Sequence, residues 1–286
     1  MTNCPYCSST CDVIREFQRR DDETLHLWGC GACECELLCP QPSDDWLAEE
    51  YSGYFQMRQG NISTPKRRLC QLILSKLSPL QEDAHILDIG GGEGHLAHEV
   101  LRTTTRTHLT LVEPQAEEDG FPLDRVTVHR KLVEDWLQST PPVLFDAIIG
   151  MDLIEHVRSP MKVMLDVVNT RLKKGGTLVL TTPDAASWHR KILGPVWPHY
   201  KVEHLTYPSR KALHKLASHA GLDIQECSSL AKPLPIGYVI AILKNFGSAT
   251  LRIFGRVIDA ICPSFMRGYH VSIPSGELLF IAKKRS

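Results

Sequence analysis

The chain carries no surplus of charge of either sign: 32 Lys and Arg stand against 33 Asp and Glu, a formal net charge of −1 over 286 residues. Proteins that grip a nucleic-acid backbone usually show a marked basic excess, so this balance disfavours such a partner. Long apolar runs are also missing. No uninterrupted stretch reaches the roughly 18 residues that a membrane-spanning helix needs, and the opening MTNCPYCSST lacks the apolar centre of a secretory signal. Both absences lead to the expectation of a cytoplasmic protein. There is no internal repeat and no low-complexity tract, which argues against a solenoid. What remains, 43% hydrophobic and 23% charged residues, is the composition of an ordinary globular protein, long enough for one large domain with an appendage.

Cysteine, by contrast, is abundant and uneven: seven of the ten lie in the first 39 residues. In a reducing compartment such clustering favours metal binding over a disulfide scaffold. Cys4-Pro-Tyr-Cys7 and Cys30-Gly-Ala-Cys33 are two C-x-x-C knuckles separated by 22 residues. Four thiolates from two knuckles make the tetrahedral set that a structural Zn2+ prefers. The spacing is longer than usual, Cys35 or Cys39 could replace Cys33, and Cys11 is surplus. A module of about 40 residues cannot bury enough core alone, so the metal is expected to supply its folding energy.

From about residue 51 to 80 the pattern turns helical, with Leu69, Leu72, Ile73, Lys76 and Leu77 spaced for one face. Short apolar runs then alternate with helical patterns. Strands are expected at 85–90, 108–113, 126–129, 145–150 and 177–182, and helices at about 93–102 and 161–172. This rhythm predicts a parallel sheet covered on both faces. After Pro183 it breaks into a Trp-, His- and Pro-rich insertion over 185–207. An amphipathic helix at 209–220 follows, closed by Gly221. Two closing strands, 222–230 and 277–283, flank an apolar segment at 233–261 that Lys244, Arg252 and Arg256 interrupt. The expected division is a cysteine-rich module at 1–42, a helical linker or cap at 43–80, and an α/β domain at 81–286.

Doubly wound sheets bind ligands at the carboxyl ends of their strands, and the first strand–helix turn is the usual place. Here that turn reads D-x-G-x-G-x-G: Asp88, Gly90, Gly92, Gly94. Glycines permit positive φ and close backbone approach, and the next helix offers free N–H groups. A dehydrogenase would show G-x-G-x-x-G with a pyrophosphate on the turn. The acidic residue before the first Gly repels a pyrophosphate but suits a cationic amino-acid moiety. The second strand ends in Leu111-Val112-Glu113-Pro114, where a carboxylate can accept both ribose hydroxyls. The fourth runs into Met151-Asp152-Leu153-Ile154-Glu155-His156-Val157. Of its polar residues, Asp152 and His156 are the candidates, and His156 reads equally as a packing residue of the turn or as an acceptor-side group.

The series LDIGGGEG, LVEP, FDAIIGMDLIEHV and LKKGGTLVLTTPD, over about residues 85–185, resembles the consecutive motifs of class I S-adenosylmethionine-dependent methyltransferases. The resemblance implies an α/β, Rossmann-like, doubly wound seven-stranded sheet, mostly parallel with the last strand antiparallel, here with a small N-terminal zinc ribbon. It implies S-adenosyl-L-methionine as cofactor, with Asp88, Gly90, Gly92 and Gly94 along its methionine and ribose side, Glu113 on the ribose and Asp152 beside the donor. Many relatives place an Asp near the end of strand three for the adenine. In this chain KLVEDW offers Glu134 or Asp135 there.

The insertion LGPVWPHYKVEHLTYPSRKALHKLASHAGL is similar to the lid segment of a bacterial methyltransferase group acting on sugars, lipid-linked intermediates and secondary metabolites. It matches at Trp197, Glu203, His204, Leu205, Tyr207 and Ser209. The ribbon, Pro40-Gln41-Pro42 and Tyr51-Ser52-Gly53-Tyr54-Phe55 resemble the same group in layout. Relatives that methylate a sugar carbon carry a Tyr two positions before the Glu. Lys201 stands there, with Tyr200 next door, which speaks against that reaction. The resemblance implies that 185–207 covers the site, with His204, Glu203 and His156 as candidate catalytic residues. His204 is then either a base whose tautomer Glu203 fixes, or an anchor of the loop.

The leading expectation is methyl transfer to a small-molecule, sugar or lipid-linked acceptor. An RNA methyltransferase using the ribbon for recognition is the alternative, against which stand the neutral charge and the missing N/D-P-P-Y/F element after strand four. An inactive module that only binds the donor comes third, and the intact glycine turn with Glu113 speaks against it. The segment 233–261 reads as helices packed on the sheet or at a homodimer interface, or as an apolar surface in peripheral contact with a membrane.

Overall fold

The computed structural model describes residues 2–18, 24–56, 64–77, 83–116, 121–122, 124–245 and 249–286. The chain opens with four strands, β1 (Thr2–Asn3), β2 (Thr10–Gln18), β3 (Thr24–Gly29) and β4 (Glu36–Cys39), followed by helices α1 (Asp44–Gln56) and α2 (Thr64–Leu77). The alternating part runs β5 (His85–Ile89), α3 (His95–Thr103), β6 (His108–Val112), β7 (Val126–His129), α4 (Val133–Ser139), β8 (Phe145–Met151), α5 (Pro160–Arg171) and β9 (Leu172–Pro183). Then come α6 (Trp188–Leu193), β10 (Thr206–Tyr207), α7 (Arg210–His219), β11 (Leu222–Pro235), α8 (Ile236–Asn245), α9 (Ala249–Ile261) and β12 (His270–Lys284).

One mixed sheet has the order β11-β12-β9-β8-β5-β6-β7, with β12 antiparallel to both neighbours. Adjacent residues on the central strands bury on opposite faces. Leu87, Ile148, Leu178 and Phe280 pack with α5 and α7, while Ile86, Ile149, Val179 and Ile281 pack with α2 and α3. That is why these strands read as continuous apolar runs. From β5 the chain moves outward through β6 and β7, then returns to lay β8 on the other side. The carboxyl ends of β5 and β8 therefore border the crevice where such sheets take their ligands.

A second, antiparallel sheet has the order β1-β2-β3-β4-β10. Its fifth strand comes from the insertion after β9, so ribbon and insertion are one structure. Leu25, Leu27 and Leu38 of the ribbon bury against Ala185, Trp197 and Tyr207 of the insertion.

Three local expectations shift. α1 starts at Asp44, ahead of the helical pattern read from residue 51. Ser43 Oγ accepts from the Trp46 N–H, and two aspartates in the first turn suit the positive end of the helix. α2 buries Cys70 and Ile73, while Leu72 is exposed and Lys76 pairs with Glu226 at 2.7 Å. The buried stripe lies one residue over from the expected one because Cys70 counts as apolar. The closing strands are also longer than expected. Beyond a register shift between Leu230 and Ala231, β11 and β12 continue as a two-stranded arm.

Candidate active site

The turn between β5 and α3 lies over the carboxyl edge of the sheet. Gly90, Gly92 and Gly94 have φ of 72°, 56° and 72°, a left-handed backbone in which other residues are strained. A Cβ at Gly92 would meet open space, whereas one at Gly94 would lie 2.5 Å from Phe121 Cζ. The turn is thus open in its middle and packed at its end. Glu113 reaches it from the end of β6. Its Oε2 accepts from the Gly92 N–H at 3.3 Å and its Oε1 from the Gln115 N–H at 3.2 Å, while burial raises its pKa.

Asp88 is sealed beneath the turn. A Cβ on Gly91 would come 2.3 Å from Asp88 Oδ2, and among the described residues neither carboxyl oxygen has a hydrogen-bond partner. Burial, reinforced by Glu113, pushes its pKa up to about 7. An orphaned, partly ionised carboxyl under a glycine turn suits a cationic ligand resting on that turn, and Glu113 suits a diol. These residues fit S-adenosyl-L-methionine. Asp152, with φ of 50°, bonds through its N–H to the Thr181 carbonyl at 3.0 Å and accepts from Thr181 Oγ1 at 3.3 Å. Asp135 stands exposed in the first turn of α4, and among the described residues no hydrogen bond ties it to the glycine turn or to Glu113.

At the same sheet edge, β8 leads into a one-turn helix, Ile154–His156. His156 Nδ1 lies 2.9 Å from Tyr51 Oη and 2.9 Å from the backbone oxygen of Glu203. A carbonyl can only accept, so Nδ1 carries the proton and Nε2 is left as a bare acceptor. Burial holds the pKa of His156 down to about 4, so the ring is neutral near pH 7. His204 meets it edge-on, with ring centroids 4.8 Å apart. Burial, then His156, keeps His204 uncharged, and its Nδ1 has no partner among the described residues. The Glu203 carboxylate faces Lys201 Nζ at 3.8 Å. Glu203 therefore orients His156 through its carbonyl, and among the described residues no hydrogen bond joins its carboxylate to His204.

Glu155 is buried, with Oε2 accepting from Thr182 Oγ1 at 3.0 Å. Burial and Asp152 raise its pKa well above the carboxylate range. Glu155, His156 and His204 each present a ligand atom within 4.8 Å of the others, a spacing a metal ion could use once Glu155 had lost its proton. Neither Tyr51 nor Glu155 was singled out from the sequence. Tyr51 sits in the Tyr-Ser-Gly-Tyr-Phe run, where nothing local marks a partner for a histidine 105 residues later; Glu155 is adjacent to His156, but nothing local shows that a carboxyl there turns inward.

The two knuckles are built alike. Cys4 N–H bonds Ser9 O and Ser8 N–H bonds Cys4 O; Cys30 N–H bonds Cys35 O and Glu34 N–H bonds Cys30 O. Ser8 and Glu34 both adopt positive φ, at 59° and 60°. By this symmetry Cys35 is the counterpart of Ser9, and Cys33 that of Cys7. The sulfurs of Cys4, Cys7, Cys30 and Cys33 all lie within 4.8 Å of one another, with Cys4–Cys33 at 3.3 Å and Cys7–Cys30 at 3.4 Å. Four thiolates at ~2.3 Å from one zinc ion have separations of this order, so the cluster fits a zinc site. Cys35 Sγ also comes within 3.2 Å of Cys4 Sγ.

Residues 62–226, more than half of the chain, match a family model described as "Methyltransferase domain". The chain belongs to this methyltransferase family. A curated relative, the ubiquinone biosynthesis O-methyltransferase of Chromobacterium violaceum, is 29% identical over 160 residues, covering 51% of this chain and 67% of that protein. The trans-aconitate 2-methyltransferase of Rhodopseudomonas palustris is 26% identical over 140 residues, covering 49% and 51%. The chain thus spans between half and two thirds of the length of these relatives. Among solved structures it resembles the Burkholderia thailandensis 1,6-didemethyltoxoflavin-N1-methyltransferase with bound 1,6-didemethyltoxoflavin and S-adenosylhomocysteine. That match covers 97% of this chain and 100% of the other, with a TM-score of 0.54 and 14% identity, and shows a shared fold. The methyltransferase fold is Rossmann-like with a large mixed sheet, and it implies dependence on S-adenosyl-L-methionine. The matches reach the family and do not single out the sugar- and lipid-directed group.

Proposed function

We propose that this methyltransferase moves a methyl group from S-adenosyl-L-methionine to a hydroxyl of a small or carrier-linked acceptor. The observation that carries the reading is the locked tautomer of His156, whose bare Nε2 lies at the same sheet edge as the glycine turn. Gly90, Gly92 and Gly94 would carry the donor, Glu113 would take its ribose hydroxyls, and the Asp88 carboxyl would favour its positive charge from below. Asp152 is assigned to the donor side and Asp135 to the adenine end. Bound there, the donor supplies an electrophilic methyl on a sulfonium sulfur.

His156 Nε2 accepts the hydrogen bond of the acceptor hydroxyl and so points the oxygen lone pair at the incoming methyl. Alkylation makes that oxygen strongly acidic, so even an imidazole with a pKa of about 4 takes its proton. Positioning can supply up to roughly 7–11 kcal/mol of the barrier reduction. The base adds on the order of 10²–10⁴-fold. His204 packs against His156 and holds its ring plane. The ribbon, 1–42, is assigned a structural Zn2+ on Cys4, Cys7, Cys30 and Cys33; four thiolates leave no open position for chemistry. Residues 43–80 cap the catalytic domain at 81–286.

The curated relatives, named for ubiquinone biosynthesis and for trans-aconitate, support a small acceptor. The RNA alternative is not favoured, given those relatives and the net charge of −1. Calorimetric titration with S-adenosyl-L-methionine, followed by transfer of a labelled methyl to phenolic, carboxylic and sugar acceptors, tests the reading. The expected result is donor binding that Glu113→Gln weakens, and turnover that His156→Ala lowers on the order of 10²–10⁴-fold while the donor still binds. A chain that fails to bind the donor overturns it.

A further inference from the structure

Past the register shift at Leu230 and Ala231, β11 and β12 leave the large sheet and, among the described residues, pair only with each other, from Ala231 with Pro274 to Pro235 with His270. β11 runs parallel to β5, β8 and β9, so this arm leaves at the carboxyl edge, the edge that bears the glycine turn and His156. The hairpin of α8 and α9 lies at its tip. Within it, α9 turns Gly255 toward α8: a Cβ there would come 2.6 Å from the Leu243 carbonyl carbon and the Lys244 nitrogen. On the opposite side of α9, Ile253, Phe254, Val257 and Ile261 are 61, 56, 53 and 73% exposed. Their helical spacing gathers them into one stripe about 100° wide. Phe265, Tyr269 and Tyr238 extend the exposed apolar surface. An apolar stripe ordinarily faces the protein's own core; this one faces away from its partner helix.

The charge on the hairpin is one-sided. Residues 236–269 contain Lys244, Arg252, Arg256 and Arg267 against Asp259 alone, a net +3 in a chain whose total is −1. Asp259 is itself engaged by Lys244 and by Arg267. Arg252 and Arg256 are exposed, and among the described residues no carboxylate pairs with them. No helix among the described residues is long and apolar enough to cross a membrane. An apolar stripe bordered by cations, on a helix too short to span, is the composition of a helix lying in a bilayer interface.

We propose that the α8–α9 hairpin docks on an anionic lipid surface. Ile253, Phe254, Val257 and Ile261 enter the headgroup–acyl boundary, and Arg252 and Arg256 meet lipid phosphates. A second copy of the chain is the poorer occupant, because a two-fold contact on this face would gather both copies of Arg252 and Arg256 into one interface, where the hairpin's Asp259 is already engaged by Lys244 and Arg267. Since the arm leaves from the carboxyl edge, docking holds that edge close to the bilayer. The proposal does not depend on which acceptor is methylated.

Sedimentation of the full chain with vesicles tests it. Binding is expected to vesicles of phosphatidylcholine with phosphatidylglycerol, weaker with phosphatidylcholine alone and weaker in high salt. Each arginine removed should cost about fivefold, so Arg252→Gln with Arg256→Gln lowers affinity roughly 30-fold. Phe254→Asp with Val257→Asp should abolish binding. All four side chains are exposed, so thermal melts and donor binding of both variants should match those of the unaltered protein. Failure to sediment with anionic vesicles, or sedimentation that neither pair alters, overturns the proposal. A dimer that Phe254→Asp with Val257→Asp dissociates, without vesicle binding, overturns it in favour of a second copy.

Discussion

Tyr207 lies opposite Glu36 in an antiparallel register, so the insertion that carries Glu203 and His204 runs into the fifth strand of the cysteine ribbon's sheet. Neighbouring contacts tighten this join. Ser209 Oγ donates to the Cys33 carbonyl and caps α7 by accepting from the Ala212 N–H. Tyr200 Oη donates to Glu36 Oε2 at 2.6 Å, Arg190 bonds both, and Arg15 lies 4.2 Å from the Tyr200 ring centre. The Glu203 carbonyl that fixes His156 belongs to this same segment. Ribbon integrity and the geometry around His156 are therefore one property of the molecule.

Metal removal should act on both. If Cys4, Cys7, Cys30 and Cys33 hold zinc, chelation or Cys30→Ser lowers the unfolding free energy by at least about 4 kcal/mol. At ~2–4 °C per kcal/mol that is a fall in Tm of roughly 10 °C, measured by calorimetry with and without added zinc. Turnover should fall in parallel, with donor affinity less affected. Unchanged melting after chelation would show that the ribbon holds without a metal.

The tautomer at His156 sets a second expectation. His156→Ala should lower kcat on the order of 10²–10⁴-fold. Tyr51→Phe keeps the ring but removes one partner of Nδ1, worth about 1 kcal/mol and so roughly fivefold. His204→Ala should lower turnover while leaving donor binding near normal, because it acts on the His156 ring; unchanged turnover removes it from the chemistry. With the His156 pKa at about 4, the ring stays neutral across the physiological range. Its contribution to the rate should be flat between about pH 6 and 8 and be lost as pH falls toward 4. A steep dependence near pH 6.5 that His156→Ala removes would contradict this environment.

The parts of this site that were legible in the sequence are those with a local signature. Glycines at 90, 92 and 94 announce positive φ, two C-x-x-C knuckles announce a thiolate cluster, and strands buried on both faces announce themselves as apolar runs. Contacts that join distant segments through the backbone have no such mark. Thr206–Tyr207 is only two residues long and pairs with a strand some 170 residues earlier, so it read as part of an insertion. Glu203 suggested a carboxylate orienting His204, whereas its backbone carbonyl orients His156, and any residue type supplies that atom. The stripe on α9 was visible as an apolar segment, but periodicity records only that a face exists, and its outward direction comes from Gly255 against α8. On α2, Cys70 took the buried position that spacing had assigned to Leu72.

Glu113 offers the most direct test of the donor side. Its two oxygens already accept from the Gly92 and Gln115 amides, which aims them along the turn. One hydrogen bond to a charged group contributes about 1.5–3 kcal/mol, so Glu113→Ala should weaken donor binding by at least the value of one such bond, roughly 10- to 150-fold. Titration calorimetry reads this without an acceptor. A loss below about threefold, which is under 1 kcal/mol, would place the ribose elsewhere.

Asp88 supplies a pH-dependent test of the same turn. In the free protein, burial and Glu113 raise its pKa from 3.8 to about 7. The folded chain therefore retains a proton that the unfolded chain releases. The resulting stability is complete below about pH 3.8 and is lost as pH rises through 7. A difference of this size corresponds to about 4 kcal/mol. Asp88→Asn has no proton to lose, so the unaltered protein should lose about 4 kcal/mol relative to the variant between pH 4 and 8, read from urea melts across that range. A cationic ligand on the turn favours the ionised carboxyl, so donor binding should expel the proton. Donor affinity of the unaltered protein should then rise with pH up to about 7, while that of Asp88→Asn stays flat. Calorimetry in buffers of different ionisation heat counts the proton released. If none is released near pH 6.5, Asp88 keeps one protonation state throughout, and the amides of the turn and Glu113 hold the donor without it.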